Sequence, residues 1–345
     1  MPGRKESGCK MQYSIWVTNA CNLRCKYCYE KDKKNVQMQR GTARQIFQYI
    51  KERSEVLFDN DIQISIHGGE PLLNYDTLCY FVQLLRAWKK DISMNMTTNA
   101  TLLDEEKLAF ILENFNEISI SIDGTSEIHD KNRVTPKGKG SFYDVSKNID
   151  KLLAHRNNII ARMTVTPETV FNLYDSVAYL YNRGFCVISP ILDQCDGHWD
   201  EETMEELKQQ LLKLSDGFSG KKDIRIGLLE EMKYRKKSKC LPGDMTMHIN
   251  PKGVFYPCAY VVGDSRFEIG NIETGLDDVK LQKIREINKY EFESCHACSW
   301  KEYCCGYRCK LMNYAISAEF QPQYVACKLE HILLDIYKTY MQKVM

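Results

Sequence analysis

The sequence predicts an α/β fold: a partial (β/α)6 barrel followed by a small cysteine-rich domain with a β-hairpin and helices. Short β-rich runs alternate with helical patterns up to about residue 220, the pattern breaks there at the turn SDGFSGKKD, and cysteines crowd the last third of the chain. The 345 residues exceed one core of the commonest size and fall well short of three, which suits one large unit plus an appendage.

The first strand is expected at residues 12–17 and the first helix at 44–58, where Ile46, Phe47, Ile50 and Leu57 recur at helical spacing. Strand and helix pairs follow at 62–66 and 75–89, 92–97 and 104–115, 117–122 and 141–155, and 158–165 and 168–182. A sixth strand at 185–190 precedes an acidic amphipathic helix at 200–214. Strands joined by crossover helices pair in parallel, and the active site of such a barrel lies at the carboxyl ends of its strands. The expected division is a tail at 1–10, the barrel at 11–220, a linker at 221–239 and the cysteine-rich domain at 240–345. In that domain, Asn250-Pro251-Lys252-Gly253 between two β-like runs reads as a hairpin over 248–256, and 325–341 reads as an apolar helix. Residues 295–309 hold too few large apolar side chains to build a core, so bound ligands must hold that segment together.

Apolar residues make up 43% of the chain, and 47 basic side chains face 46 acidic ones, which excludes disorder and a strongly basic nucleic-acid surface. No apolar run reaches the ~20 residues of a membrane helix. The start MPGRKESGCK lacks the apolar core of a signal peptide, so a cytoplasmic protein without membrane contact is expected. Fifteen cysteines in such a chain point to metal ligation rather than to disulfides. Cys9, Cys79, Cys186 and Cys195 lie scattered; the first three read as ordinary thiols, while Cys195, with Asp193 and His198 after the sixth strand and His67 beside the GGEP turn, is placed to line the barrel mouth with no role assigned.

Cys21, Cys25 and Cys28 follow the first strand directly, which places three thiols in the mouth of the barrel. A four-iron cubane needs four ligands, so three leave one iron open for a small molecule. Zinc is the plainer alternative, but structural zinc sites are usually closed by a fourth protein ligand, and none is visible nearby.

CxxxCxxC, written Cys21, Cys25 and Cys28 with Tyr27 before the last, resembles the radical S-adenosylmethionine (radical SAM) enzymes. Further matches stand at the expected strand ends: Gly68-Gly69-Glu70-Pro71 after the second, Thr98-Asn99 after the third, and Ser121-Ile122-Asp123-Gly124 with His129, Asp130 and Arg133 after the fourth. The resemblance implies one [4Fe-4S] cluster on the triad whose open iron holds the amino and carboxylate groups of S-adenosyl-L-methionine. Reductive cleavage then yields a 5′-deoxyadenosyl radical that abstracts hydrogen from unactivated carbon. It also implies roles for individual side chains. Glu70 accepts from the ammonium group, Gly68 and Gly69 let backbone approach the ligand, and Ser121 and Asp123 hydrogen-bond ribose hydroxyls. Arg133 pairs with the methionine carboxylate, Asn99 does similar polar work, and Tyr27 lies beside the adenine.

Downstream, Cys240, Cys258, Cys295, Cys298, Cys304, Cys305, Cys309 and Cys327 look like a SPASM domain, the appendage that usually carries two auxiliary four-iron clusters. Carried across, Cys240, Cys258 and Cys309 hold the first auxiliary cluster, and Cys295, Cys298, Cys304 and Cys327 the second, for three [4Fe-4S] clusters in all. The spacing departs from the family pattern at Cys304 and Cys305, so either Cys305 completes the first auxiliary cluster or that cluster keeps an open iron. A zinc ribbon of Cys295, Cys298, Cys304 and Cys309 is the alternative without redox chemistry.

Radical enzymes with SPASM domains act mostly on peptides, so the resemblance implies an oxidoreductase that matures a ribosomally made peptide. A thioether cross-link from a cysteine of that peptide is the favoured product. The implied partners are a cysteine-containing peptide with a leader and a reducing electron donor such as flavodoxin or ferredoxin. About twenty residues precede the triad, too few for the winged-helix leader-binding domain of some relatives, so an exposed strand edge or a separate protein is expected to recognise the leader. The rivals are an anaerobic sulfatase maturase and a non-catalytic iron–sulfur or zinc protein. In sulfatase maturases an aspartate follows the cysteine of the YPC segment, whereas Tyr256-Pro257-Cys258 is followed by Ala259.

Overall fold

The computed structural model describes residues 12–30, 35–56, 62–156, 158–232, 242–301, 303–304, 310–317 and 321–344. Strands β1 (Gln12–Trp16), β2 (Ile62–His67), β3 (Ile92–Thr98), β4 (Glu117–Ser121), β5 (Ile160–Val165) and β6 (Val187–Leu192) pair in parallel in chain order. Between them run helices α1 (Arg40–Val56), α2 (Tyr75–Ala87), α3 (Glu105–Asn114), α4 (Ser126–Asn132), α5 (Phe142–His155) and α6 (Leu173–Asn182), and α7 (Glu201–Phe218) follows β6. The expected six units are therefore present, with most ends shifted by a few residues. The short α4 was not expected. The helix expected at 168–182 starts later, because the Thr169 hydroxyl accepts from the Thr166 N–H at 2.9 Å and the chain makes a 3-10 turn, Val170–Asn172, before α6.

Strands β2, β3, β5 and β6 alternate between buried and more accessible positions. Ile64, Ile66, Met94, Ile120, Ala161 and Ile188 are fully or almost fully buried on the helix-covered side. Their neighbours in sequence, Gln63, Ser65, Asn95, Thr97, Ser121, Arg162, Thr164 and Ser189, share the opposite face. Helices on both faces would require apolar residues at every position, so the alternation marks a sheet curled around a polar lumen.

Residues 225–232, expected within a linker, form β7 (Arg225–Ile226), parallel to β6, and α8 (Gly227–Met232). The expected hairpin is β8 (Thr246–Ile249) and β9 (Val254–Tyr256), turned by Asn250, whose side-chain oxygen accepts from the N–H groups of Lys252 and Val254. Strand β8 pairs in parallel with β1, so the hairpin continues the barrel sheet. With β10 (Gly270–Asn271) and β11 (Gly275–Leu276) the order is β11-β10-β9-β8-β1-β2-β3-β4-β5-β6-β7. Helices α9 (Asp278–Lys289), α10 (Lys310–Ser317) and α11 (Tyr324–Val344) complete the chain, α11 packing on α7 and α8. No helix of the described residues is long and apolar enough to cross a membrane.

Because β1 is shared by barrel and hairpin, Ile15→Ala, which removes a fully buried side chain there, is expected to cost about 2–5 kcal/mol. In urea, barrel and hairpin should unfold in one transition at a lower midpoint. Two separated transitions in the wild type would show the shared strand does not couple them.

Candidate active site

A cavity of ≈ 280 Å³ opens at the carboxyl ends of the strands, lined among others by Cys21, Cys25, Tyr27, Cys28, Gly68, Gly69, Glu70, Asn99, Ser121 and Arg133. Backbone bonds position the cysteine loop. The Arg24 and Lys26 N–H groups donate to the carbonyls of Val134 and Asn132, and the Cys28 N–H donates to Cys25. A side-chain chain adds to this: Asn22 donates to Thr101 at 2.7 Å, and Asn99 donates to Asn22 at 2.9 Å. Asn99 thus anchors the loop to the end of β3.

The glycines serve the loop too. The Gly69 N–H donates to the Thr18 carbonyl at 3.0 Å and the Glu70 N–H to Ala20 at 2.8 Å. A Cβ on Gly69 would lie 2.3 Å from the Ala20 oxygen, and one on Gly68, at φ +153°, 2.6 Å from the Thr18 oxygen. The close approach that requires glycine here is to backbone preceding Cys21, and both glycines also line the cavity.

Glu70 is fully buried. Its Oε1 accepts from the Thr98 hydroxyl at 2.7 Å and the Leu72 N–H at 3.1 Å, and its Oε2 accepts from the Asn99 N–H at 2.8 Å. A carboxylate has about four acceptor positions, so one on Oε2 remains for a donor in the cavity. Burial raises the Glu70 pKa above its ordinary value, against the lowering by those three bonds. Pro71, which does not line the cavity, opens the 3-10 turn Pro71–Asn74 that Glu70 caps.

Asp123 differs from expectation. Arg133 Nε donates to Asp123 Oδ2 at 2.9 Å and Nη2 to Oδ1 at 3.0 Å; Tyr27 Oη donates to Oδ2 at 2.5 Å and the Thr164 N–H to Oδ1 at 2.9 Å. Four donors fill the carboxylate, so the ribose role assigned to Asp123 has no lone pair left. The Arg133 guanidinium sits 5.3 Å from the Tyr27 ring centre, and although burial pushes its pKa down, Asp123, Tyr27 and Cys25 together more than reverse this. Arg133 is thus ion-paired with Asp123 through Nε and Nη2 while it lines the cavity. His129 accepts from the Asp123 N–H at 3.4 Å and lies 3.0 Å from the Ser141 hydroxyl; burial lowers its pKa to about 3, so it is neutral.

Several lining residues escaped sequence reasoning: Tyr29, Glu30, Thr97, Arg162, Thr164, Gln194 and Tyr260. Polar residues at every second strand position are the signal that would have found Thr97, Arg162 and Thr164. Tyr29 and Tyr260 pack at 5.3 Å on the rim, joining the cysteine loop to the segment after β9. Trp16 donates to Glu30 at 2.5 Å and stacks on His67 at 5.1 Å. His67, Asp193 and Cys195 line the cavity, whereas His198 is exposed and outside it.

In the appendage Cys295, Cys298, Cys304 and Cys327 line one small cavity with Lys301, Pro322 and His331. Burial raises the thiol pKa of Cys295 and Cys327, a cost that metal binding removes. Among the described residues no three of His, Cys, Asp and Glu meet as one metal ion requires. A cubane instead takes each thiolate on a different iron, so the donor set fits a cluster better than zinc. Cys240, Cys305 and Cys309 lie outside the described residues, so of the first auxiliary set only Cys258 is placed.

The fold and this site define a cluster-bearing α/β-barrel enzyme, and comparison with known proteins identifies the class. The Radical SAM superfamily model matches residues 15–179, and the SPASM iron-sulfur cluster-binding domain model matches residues 240–299. An uncharacterised protein of Methanocaldococcus jannaschii is 31% identical over 284 residues, covering 80% of this chain and 93% of that one. A cysteine-type anaerobic sulfatase-maturating enzyme of Clostridium perfringens is 26% identical over 326 residues, covering 84% and 86%. The subtilosin biosynthesis protein AlbA of Bacillus subtilis is 26% identical over 346 residues, covering 90% and 70%. Among solved structures, anSMEcpe with bound AdoMet and a peptide superposes with a TM-score of 0.82 at 20% identity, covering 97% of this chain and 98% of that one. The chain belongs to the radical SAM superfamily and is a radical SAM enzyme with a SPASM domain.

Glu70→Ala would strand three buried donors, so Glu70→Gln, which keeps the volume, is the cleaner variant. In Gln the oxygen can keep Thr98 and Leu72 while the amide nitrogen faces the Asn99 N–H, so Glu70→Gln without ligand should melt below wild type but above Glu70→Ala, and its S-adenosylmethionine affinity, read by calorimetry, should fall about tenfold or more. Unchanged affinity would remove Glu70 from the cofactor site.

Proposed function

We propose that the chain matures a ribosomally made, cysteine-containing peptide, binding three [4Fe-4S] clusters and forming a thioether between the peptide's cysteine sulfur and a carbon. The observation that carries this reading is one cavity that brings Cys21, Cys25 and Cys28 together with the free acceptor on Glu70 and with Ala259. When bound, cluster and S-adenosylmethionine supply a 5′-deoxyadenosyl radical that takes hydrogen from carbon. The chain's own residues hold the triad loop, offer Ser121 and Asn99 as polar contacts, and present the Tyr29–Tyr260 rim to an incoming peptide.

Ala259 favours this over sulfatase maturation. It lines the cavity at the position after Tyr256-Pro257-Cys258, so where sulfatase maturases carry a carboxylate this chain carries a methyl group. The peptide-bound anSMEcpe structure and the bacteriocin-biosynthesis relative support a peptide as substrate. The subunit is expected to draw electrons from a flavodoxin or ferredoxin.

Reduced, reconstituted protein under nitrogen should convert S-adenosylmethionine to 5′-deoxyadenosine, and Cys25→Ala should lose this while keeping the appendage's iron. A cysteine-containing substrate should leave lighter by two hydrogens, with its thiol no longer alkylated by iodoacetamide. Wild-type cleavage rates in Cys25→Ala would refute the triad, and an aldehyde trapped by hydrazine on the product would favour sulfatase-type oxidation.

A further inference from the structure

Arg162 is the cation in the cavity that the reading above leaves unused. It stands on β5, paired in register with Ser121 of β4 on one side and Ser189 of β6 on the other, so neither neighbouring strand offers it a charge. It lines the cavity and is exposed to it. Among the described residues no carboxylate is ion-paired with it, in contrast to Arg133, which is locked onto Asp123. The other cavity carboxylates are engaged: Glu30 with Trp16, Glu70 with Thr98, Leu72 and Asn99, and Asp193 with the Cys195 N–H.

Arg162 stands beside Ser121 of β4, a polar contact offered to the cofactor, and continues the cavity wall toward β6. Glu70 and Asn99 come from the ends of β2 and β3, whereas Arg162 shares its side with Thr164 of β5 and with Ile191, Asp193, Gln194 and Cys195 from the end of β6. Its charge is felt by both His67 and Tyr29, which line the same cavity. His67, pushed down to about 4 first by burial and then by Arg162, is neutral and leaves the positive charge undiminished. A guanidinium facing a walled cavity is a planar two-pronged donor that matches a carboxylate.

We propose that Arg162 is a substrate subsite that binds a carboxylate of the peptide, an Asp or Glu side chain or the chain's C-terminus, beside the residue that is modified. This rests on the peptide-maturase reading and narrows its substrate class to peptides with an anionic group next to the target. In the peptide-bearing state the guanidinium sets the depth to which the peptide enters, with the Tyr29–Tyr260 rim gripping the backbone outside.

The test uses the reconstituted full-length protein and paired short peptides, N-acetylated and C-amidated, that carry cysteine next to Glu or Gln, with a third member ending in a free carboxylate. Binding is read by calorimetry in the presence of S-adenosylmethionine. Wild type is expected to favour the carboxylate peptides over the amide by tenfold or more. Arg162→Gln is expected to erase that ratio, Arg162→Lys to keep part of it, and Arg162→Glu to favour a Lys peptide instead. Equal binding of the pair by wild type, or no binding of either, overturns the proposal. A cofactor arm compares S-adenosylmethionine with its decarboxylated analogue. If Arg162→Gln erases the wild-type preference between those two, the carboxylate is the cofactor's and the proposal also fails. Formation of 5′-deoxyadenosine by the wild type, measured alongside, reads the peptide-maturase reading separately, since its absence defeats that reading whatever the peptide ratios.

Discussion

A single buried carboxylate joins the parts of the cavity wall that have no other reason to stay together. Asp123 receives Tyr27 from the cysteine loop, Arg133 from the end of α4 and the backbone of Thr164 on β5. Three chain segments far apart in sequence thereby meet on two oxygen atoms. A buried ion pair is weak as a source of stability, because desolvating both charges offsets their attraction, but it is demanding about geometry. Here the extra donors from Tyr27 and Thr164 complete the lone pairs, the condition under which such a pair holds its place. His129, itself fixed near the Ser141 hydroxyl, accepts from the backbone of Asp123 and so holds the carboxylate from behind.

The second constraint is steric. The segment Gly68–Glu70 lies against Thr18–Ala20 closely enough that any β-carbon on Gly69 would overlap a carbonyl. The loop carrying Cys21 therefore cannot relax away from β2 without losing two backbone bonds, and the thiols are held before any iron arrives. Preorganisation of this sort lowers the ordering cost of assembling a cluster on a loop.

Much of this was legible in the sequence because it rests on local signals. Helical spacing at Ile46, Phe47 and Ile50, the Asn250–Gly253 turn and the grouping of Cys295, Cys298, Cys304 and Cys327 each follow from a few neighbouring residues. What escaped was tertiary. Nothing local distinguishes an Asp123 facing a ribose from one facing Arg133 across ten positions of chain, and nothing local shows that Gly69 is there for Ala20. The parallel pairing of β8 with β1 joins residues more than two hundred positions apart, so no local signal could show that the hairpin continues the barrel sheet. Arg162 was overlooked for a different reason: a lone charge in a strand looks like a solvent-facing residue until the strand is known to face inward.

Among the described residues the long sheet ends at both sides in strands of two residues, β7 at Arg225–Ile226 and β11 at Gly275–Leu276. A long unpaired strand is a template on which another copy or an unfolded chain can lay itself down, and eleven strands joined in register would otherwise display two of them. Tapering each border to a two-residue stub leaves a visiting strand little to pair with, which favours solubility at the high concentrations of newly made protein. The same taper bears on leader recognition. An extended peptide adding itself at either border finds backbone donors and acceptors for only a short register, so any grip on it there must come chiefly from side chains.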